Sequence, residues 1–172
     1  TGGMHHRWKR QTARLTTQGL TGKALDIATG TGDLAFALVC QPGVEHVVAV
    51  DLLPEMLAFA QVKSRSQYID QHVTLITGDA LTLPFHDNAF ACATAGFSLR
   101  NMPDLPQALT EMVRVVRPGG QITTLELTPL SIGIKSRFFR FYFHRFVPLM
   151  GQIIAGDRSA YTYLPRSVDY FL

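Results

Sequence analysis

Cysteine is nearly absent. Cys40 and Cys92 are the only two in 172 residues, and Cys92 lies inside the apolar run Phe90–Phe97. That usage gives no disulfide scaffold; it points to a reducing compartment with Cys92 as a buried thiol. Long apolar runs are missing as well. The greasiest stretch, residues 138–155, is interrupted by Arg140, His144, Arg145, Pro148 and Gly151, whereas a spanning helix takes about 20 apolar residues. The first ten residues contain no apolar segment, so no secretory leader is expected there, and a cytoplasmic location follows. No five Lys or Arg stand together and the net charge is only +3, so no nucleic-acid partner is expected. No metal spacing links the histidines. Hydrophobic residues nevertheless reach 47%, which argues against disorder and for one domain with a real core.

Strand and helix patterns alternate from residue 23 to 128. Strands are expected at 24–28, 46–51, 73–78, 90–97 and 121–127, and helices at 33–40 and 54–65. The clearest helix pattern places Leu105, Leu109, Met112, Val113 and Val116 on one stripe. Asp104 caps that helix, Arg114 and Arg117 occupy its last turn, and Pro118-Gly119-Gly120 stops it. The alternation predicts an α/β fold, a doubly wound, mostly parallel sheet with helices on both faces. Residues 129–172 break the pattern. They are aromatic, basic and punctuated by Gly and Pro, and read as a helical insertion or lid. The division is thus an N-terminal segment 1–22, a core 23–128 and an insertion 129–172 of one domain.

The richest signal is Leu25-Asp-Ile-Ala-Thr-Gly-Thr-Gly-Asp-Leu-Ala-Phe36, answered by Asp51 at the end of the next apolar run. A strand, a glycine turn and a helix start let a ligand approach bare backbone, and an acid at the end of the second strand holds ribose hydroxyls. Gly30, Gly32 and Asp51 alone leave dinucleotide and S-adenosylmethionine binding equally open. Asp33 favours the latter. A carboxylate there opposes a pyrophosphate but suits a ligand ammonium or sulfonium; its alternative role is to complement the helix dipole. Asp79, in Gly78-Asp79-Ala80 after the third strand, is placed to accept from an adenine amino group, or simply makes a turn.

These segments, with Leu83-Pro-Phe-His-Asp-Asn-Ala-Phe90 and Arg117-Pro-Gly-Gly120, resemble class I S-adenosylmethionine-dependent methyltransferases, whose fold is Rossmann-like. The resemblance narrows at His5-x-x-Trp8-Lys9-Arg10, Ala28-Thr-Gly-Thr-Gly-Asp33, Phe97-Ser-Leu-Arg-Asn101, Phe141-Tyr-Phe-His-Arg-Phe-Val-Pro-Leu-Met-Gly151 and Tyr161-Thr-Tyr-Leu-Pro-Arg-Ser-Val168. Together they are similar to the UbiE/MenG/COQ5 family of quinone C-methyltransferases, over nearly the whole chain. The resemblance implies cofactor contacts at Thr31 in the turn, at Asp51, and at Asp79 and Ala80 along the adenine edge. One departure stands out: the family has Ser-Phe-Gly before Leu-Arg-Asn, and here the order is Gly96-Phe97-Ser98. Because 96 and 98 would share a strand face, Ser98 is the candidate to replace that serine, the alternative being loss of the contact. The family also has a helix before His5 and further strands after residue 172, so C-terminal strands are expected to be missing from this sequence.

The resemblance implies methyl transfer from S-adenosylmethionine to a ring carbon of a prenylated quinol, with the menaquinone precursor demethylmenaquinol favoured over ubiquinone precursors. Such a reaction needs in-line positioning and stabilisation of a phenolate. Arg100 and Asn101 follow the fourth strand, where ligands bind in open α/β sheets. Arg100 is the candidate for phenolate charge and Asn101 for ring orientation; Asp157 and Tyr161 on the insertion are candidate bases or proton relays, or else caps and packing groups. The block from Phe138 to Phe146, with Arg137, Arg140 and Arg145, suits a polyprenyl tail and an anionic membrane surface, or forms the lid's own core. A homodimer or a quinone-synthesis complex is the expected assembly. The readings outside this one are another small-molecule methyltransferase, a nicotinamide-dependent oxidoreductase, or a non-catalytic scaffold that binds S-adenosylmethionine.

Overall fold

The structure is a computed structural model and describes residues 4–127. Five parallel strands form one sheet: β1 (Gly22–Ile27), β2 (Val44–Asp51), β3 (Val73–Thr77), β4 (Phe90–Gly96) and β5 (Val116–Leu125), in the order β3-β2-β1-β4-β5. The helices are α1 (Met4–Thr17), α2 (Asp33–Val39), α3 (Pro54–Ser66) and α4 (Leu105–Val115). The chain winds outward from β1 to β3, then returns to add β4 and β5 on the other side of β1. The direction reverses between β1 and β4, and a crevice opens at such a point beyond the strands' carboxyl ends. The parallel α/β architecture expected from the alternation is therefore present.

Central strands are covered on both faces, so they read as continuous apolar runs. In β1, Ala24, Leu25 and Ile27 are fully buried, and β4 buries all of Phe90 to Ala95. Cys92 is among them, in register with Ala24 of β1. Burial pushes its thiol up to about 11, so it is an inert core group.

Three local expectations are corrected. Residues 4–17 form α1, where no element was expected. The helix is invisible to apolar periodicity because its buried face is Thr12, Ala13, Thr16 and Thr17. The hydroxyls of Thr16 and Thr17 donate to the carbonyls of Thr12 and Ala13, four residues back, which makes polar residues compatible with that face. In α4 the buried residues are Ala108, Glu111, Met112 and Val115, while Leu109 and Val113 of the expected stripe are exposed. The core-facing side is rotated by one position and takes in Glu111, whose carboxylate is paired with Arg114. Finally, α4 ends at Val115 and the strand starts at once. Arg117-Pro118-Gly119-Gly120 lies within β5 as a bulge, between the pairs Phe90–Val116 and Cys92–Gln121. Gly120 is needed there, because a Cβ would lie 2.5 Å from the Ala91 carbonyl oxygen. Arg117 is therefore not in a helix turn; it donates to the Thr21 carbonyl.

Asp104 caps α4 as expected, accepting from the Gln107 N–H at 3.0 Å. Arg114 ties the loop before β4 to that helix. Its guanidinium donates to Glu111, to the Leu83 and Phe85 carbonyls and to Asp87. Glu111 in turn accepts from the Leu83 N–H at 2.7 Å.

Candidate active site

The glycine turn leaves β1 through Ala28, whose φ of +52° is unusual for a residue with a Cβ. Thr29 N–H donates to the Val50 carbonyl at 2.9 Å and Gly32 N–H to the Thr29 carbonyl at 3.0 Å, so the turn is laced to itself and to β2. Gly30 and Gly32 both have positive φ. At Gly32 glycine is also required for space: a Cβ would sit 2.5 Å from the Phe36 ring. Gly30 has nothing within 4 Å of a Cβ position, which leaves its backbone approachable.

Asp51 ends β2 and faces the turn. Its Oδ2 accepts from Gly30 N–H at 2.7 Å and its Oδ1 from Leu53 N–H at 2.9 Å. Each oxygen keeps a second lone pair for a hydroxyl donor. Asp79 follows β3 and Gly78, and accepts from Leu81 N–H at 2.9 Å. The Asx-type turn is thus real, and it coexists with a place at the cavity wall.

A cavity of about 510 Å³ occupies the carboxyl-end crevice. Its walls bring together Gly30, Thr31, Asp51, Asp79, Ala80, Ser98 and Asn101 of the expected residues. Its size suits a nucleoside-bearing ligand. Leu52, Leu53 and Met56 supply apolar wall.

Ser98 is on this wall, but not through a shared strand face. The strand stops at Gly96, and Phe97 takes a φ of +60° before the short 3-10 turn Leu99–Asn101. Ser98 is 8% exposed, and its sealed hydroxyl has no hydrogen-bond partner among the described residues. A buried hydroxyl without a partner is costly, and Ser98 bears that cost on the cavity wall. At Gly96 a Cβ would already press within 3.0 Å of Leu34.

Gly32, Asp33 and Arg100 do not line the cavity. Asp33 is in the first turn of α2, and its carboxylate is paired by Lys9 of α1, at 2.9 Å, and by Lys63 of α3. Burial raises its pKa, but the two ammonium groups outweigh burial and hold it below the usual carboxylate range. The positive partners of Asp33 in the structure are lysine side chains of this chain. Lys63 also donates to Thr31 in the turn at 3.1 Å. Arg100 points into an ion pair with Glu126, 2.6 Å apart, with both side chains 7% exposed. Glu126 also accepts from Leu99 N–H at 2.7 Å, so this pair fixes the turn that carries Asn101. Asp157 and Tyr161 lie outside the described residues, as does the aromatic-basic block.

Two site-shaping residues had been given no role. Lys9 lines the cavity from α1, and only its place beside Trp8 in the N-terminal motif marked it. Asp26 stands in the middle of β1, 1% exposed, and receives the hydroxyls of Thr29 at 2.6 Å and Thr94 at 2.7 Å. Burial raises its pKa to about 6 against the lowering effect of those two hydrogen bonds. A lone acid inside an apolar strand was the available signal. Among the described residues no three His, Cys, Asp or Glu gather as a metal site, and no helix is long and apolar enough to cross a membrane.

Comparison with known proteins agrees with this geometry. Residues 2–172 match the ubiE/COQ5 methyltransferase family. The chain is 42% identical over 170 residues to the demethylmenaquinone methyltransferase of Thermus thermophilus, covering 98% of this chain and 76% of that protein. It is 36% identical to the ubiquinone/menaquinone biosynthesis C-methyltransferase UbiE of Roseobacter denitrificans, covering 98% and 68%. Among solved structures, the YcgJ protein of Bacillus subtilis aligns with a TM-score of 0.66 at 25% identity, covering 74% of this chain and 53% of its own. A putative methyltransferase of Bacillus halodurans aligns at 0.65 and 26%, covering 80% and 59%. The chain thus spans little more than half the length of these solved structures. On a glycine turn answered by Asp51, and on this match along nearly its whole length, the chain belongs to the ubiE/COQ5 methyltransferase family.

Proposed function

We propose that this chain carries the S-adenosylmethionine-dependent C-methylation of a prenylated quinol, demethylmenaquinol to menaquinol. The observation that carries the reading is the cavity beyond β1 and β4, with Asp51 tied to Gly30 on one wall and Ser98, whose hydroxyl has no partner among the described residues, on another. The residues fit the cofactor: a carboxylate for ribose hydroxyls, approachable backbone at Gly30 and Thr31, and Asp79 with Ala80 for the adenine edge. The names of relatives from Thermus, Deinococcus and Porphyromonas, all demethylmenaquinone methyltransferases, favour the menaquinone precursor. UbiE relatives at 34–37% identity keep ubiquinone precursors as the second reading.

When bound, the cofactor supplies a methyl group made electrophilic by its sulfonium. The chain's part is to position and to stabilise charge. Asn101, on the cavity wall, orients the acceptor ring. Arg100 acts through Glu126, holding the 98–101 turn that carries Asn101. The proton of the quinol hydroxyl passes to Asp157 or Tyr161 in this reading. The block from Phe138 to Phe146, with its three arginines, takes the polyprenyl tail and rests on an anionic membrane from the cytoplasmic side.

Transfer of label from methyl-tritiated S-adenosylmethionine to demethylmenaquinol, run beside ubiquinone precursors, tests the proposal. Preferential labelling of demethylmenaquinol is expected. Labelling of the ubiquinone precursor alone moves the assignment to the second reading, and cofactor binding without transfer to any quinol leaves a scaffold instead.

A further inference from the structure

Among the described residues that line the cavity, Lys9 is the one Lys or Arg, set against the carboxylates Asp51 and Asp79. It comes from α1, a helix outside the βα repeat that builds the rest of the site. Its ammonium is 2.9 Å from Asp33, and its side chain is only 18% exposed. The same carboxylate is shared with Lys63. Two ammonium groups on one carboxylate leave the cluster with excess positive charge. Lys63, 36% exposed, meets solvent, whereas Lys9 meets the cavity.

A sulfur nucleoside carrying an amino-acid end brings a carboxylate that must find a cation when it leaves water. We propose that Lys9 anchors the α-carboxylate of the cofactor's methionyl end, with Asp33 as the positioning residue that holds the ammonium at the cavity wall. The inference rests on the reading of this cavity as the S-adenosylmethionine site. Asp33 keeps Lys63 when Lys9 turns to the ligand, so no bare carboxylate is left behind. Lys63 also grips Thr31, which couples the cluster to the glycine turn. In this arrangement α1 is part of the binding site, and discrimination between the full cofactor and plain adenosine compounds falls on a residue outside the nucleotide-binding core.

The test compares two nucleosides that share adenosine and sulfur but differ in the amino-acid end. S-adenosylhomocysteine and 5′-methylthioadenosine are titrated calorimetrically into the full chain and into Lys9→Met. Loss of a charge-assisted contact predicts that Lys9→Met weakens S-adenosylhomocysteine by about 10- to 100-fold. The 5′-methylthioadenosine affinity stays within about 2-fold, which also reports that the variant is folded. Decarboxylated S-adenosylhomocysteine closes the cycle: its removed carboxylate weakens binding to the wild type and makes no further difference in Lys9→Met. Equal weakening of both nucleosides, or none, overturns the assignment. Asp33→Asn, which keeps Lys9, is the second variant. It weakens S-adenosylhomocysteine relative to 5′-methylthioadenosine by a smaller factor, and equal weakening there also counts against the proposal. If the wild type binds neither nucleoside, the cofactor reading itself fails.

Discussion

Gly30 N–H donates to Asp51 Oδ2 at 2.7 Å, joining two residues 21 positions apart in sequence. Leu53 N–H holds the other oxygen at 2.9 Å. The acid therefore fixes the glycine turn before any ligand arrives, and a ribose would meet a carboxylate already aimed. Preorganisation of this kind keeps the ordering term out of ligand binding.

Replacing Asp51 removes both functions. Asp51→Ala loses the acceptors for two backbone N–H groups and, on the proposed function, for the ribose, and S-adenosylhomocysteine affinity is expected to fall at least about 100-fold. Asp51→Asn keeps one acceptor oxygen and is expected to fall by less. Calorimetric titration of both variants checks the order. Equal affinity in wild type and Asp51→Ala would place the ribose elsewhere.

Gly32 and Gly30 make a contrasting pair. At Gly32 the φ of +85° and the Phe36 ring both oppose a methyl group, so Gly32→Ala is expected to cost about 2–4 kcal/mol. At Gly30 only the backbone conformation opposes it, and Gly30→Ala is expected to cost about 1–2 kcal/mol. Denaturant unfolding of the two variants gives the comparison. A larger loss at Gly30 than at Gly32 would contradict the crowding seen at Phe36.

The parts of the fold written in apolar periodicity were readable. The β1 run, the Asp51 strand and the Asp104 cap all stand where the residues placed them. The parts that depend on pairing between distant groups were not. α1 buries threonines whose hydroxyls return to their own helix, so no greasy stripe announces it. The buried side of α4 includes Glu111, which a hydropathy pattern assigns to solvent; only its pairing with Arg114 and the Leu83 N–H makes burial tolerable. Asp33 looked free to meet a ligand because Lys9 and Lys63, 24 and 30 residues away, carry no local mark of their convergence on it. Ser98 was placed in the site on the assumption of a continuing strand. It arrives there through the positive φ at Phe97 instead.

Arg114 joins α4 to the segment that enters β4, and its loss should loosen that segment first. Arg114→Met leaves Glu111 without its main partner and frees the Leu83 and Phe85 carbonyls. The expected result is a lower Tm together with faster proteolysis within residues 82–89, with α4 retained. Arg114 holds Glu111 below the usual carboxylate range, against the opposing effect of burial. Wild-type stabilisation from this pair is therefore present above the ordinary carboxylate pKa and is lost as pH falls through the lower folded value. Arg114→Met reduces that acid sensitivity to what the Leu83 N–H sustains, which pH-dependent unfolding of the variant would reveal.

Asp26 has the opposite linkage. Burial in β1 raises its pKa from the ordinary 3.8 to about 6, so the folded chain retains a proton that the unfolded chain gives up near 3.8. The stability tied to Asp26 is fully present below about pH 4, declines as pH rises through about 6, and is flat above that. The full difference is about 3 kcal/mol. Asp33 and Glu111 act in the reverse sense on the acid side, so the wild-type curve mixes the two signs. Asp26→Asn separates them. Its amide still accepts one threonine hydroxyl and offers N–H donors to the oxygen of the other, and it carries no charge to desolvate. The stability gap between Asp26→Asn and wild type is therefore expected to widen in favour of the variant between about pH 4 and pH 6. Chemical denaturation of both proteins at intervals across that range measures the gap directly, and a gap that stays constant with pH would mean that Asp26 ionises in the folded chain as it does in the unfolded one.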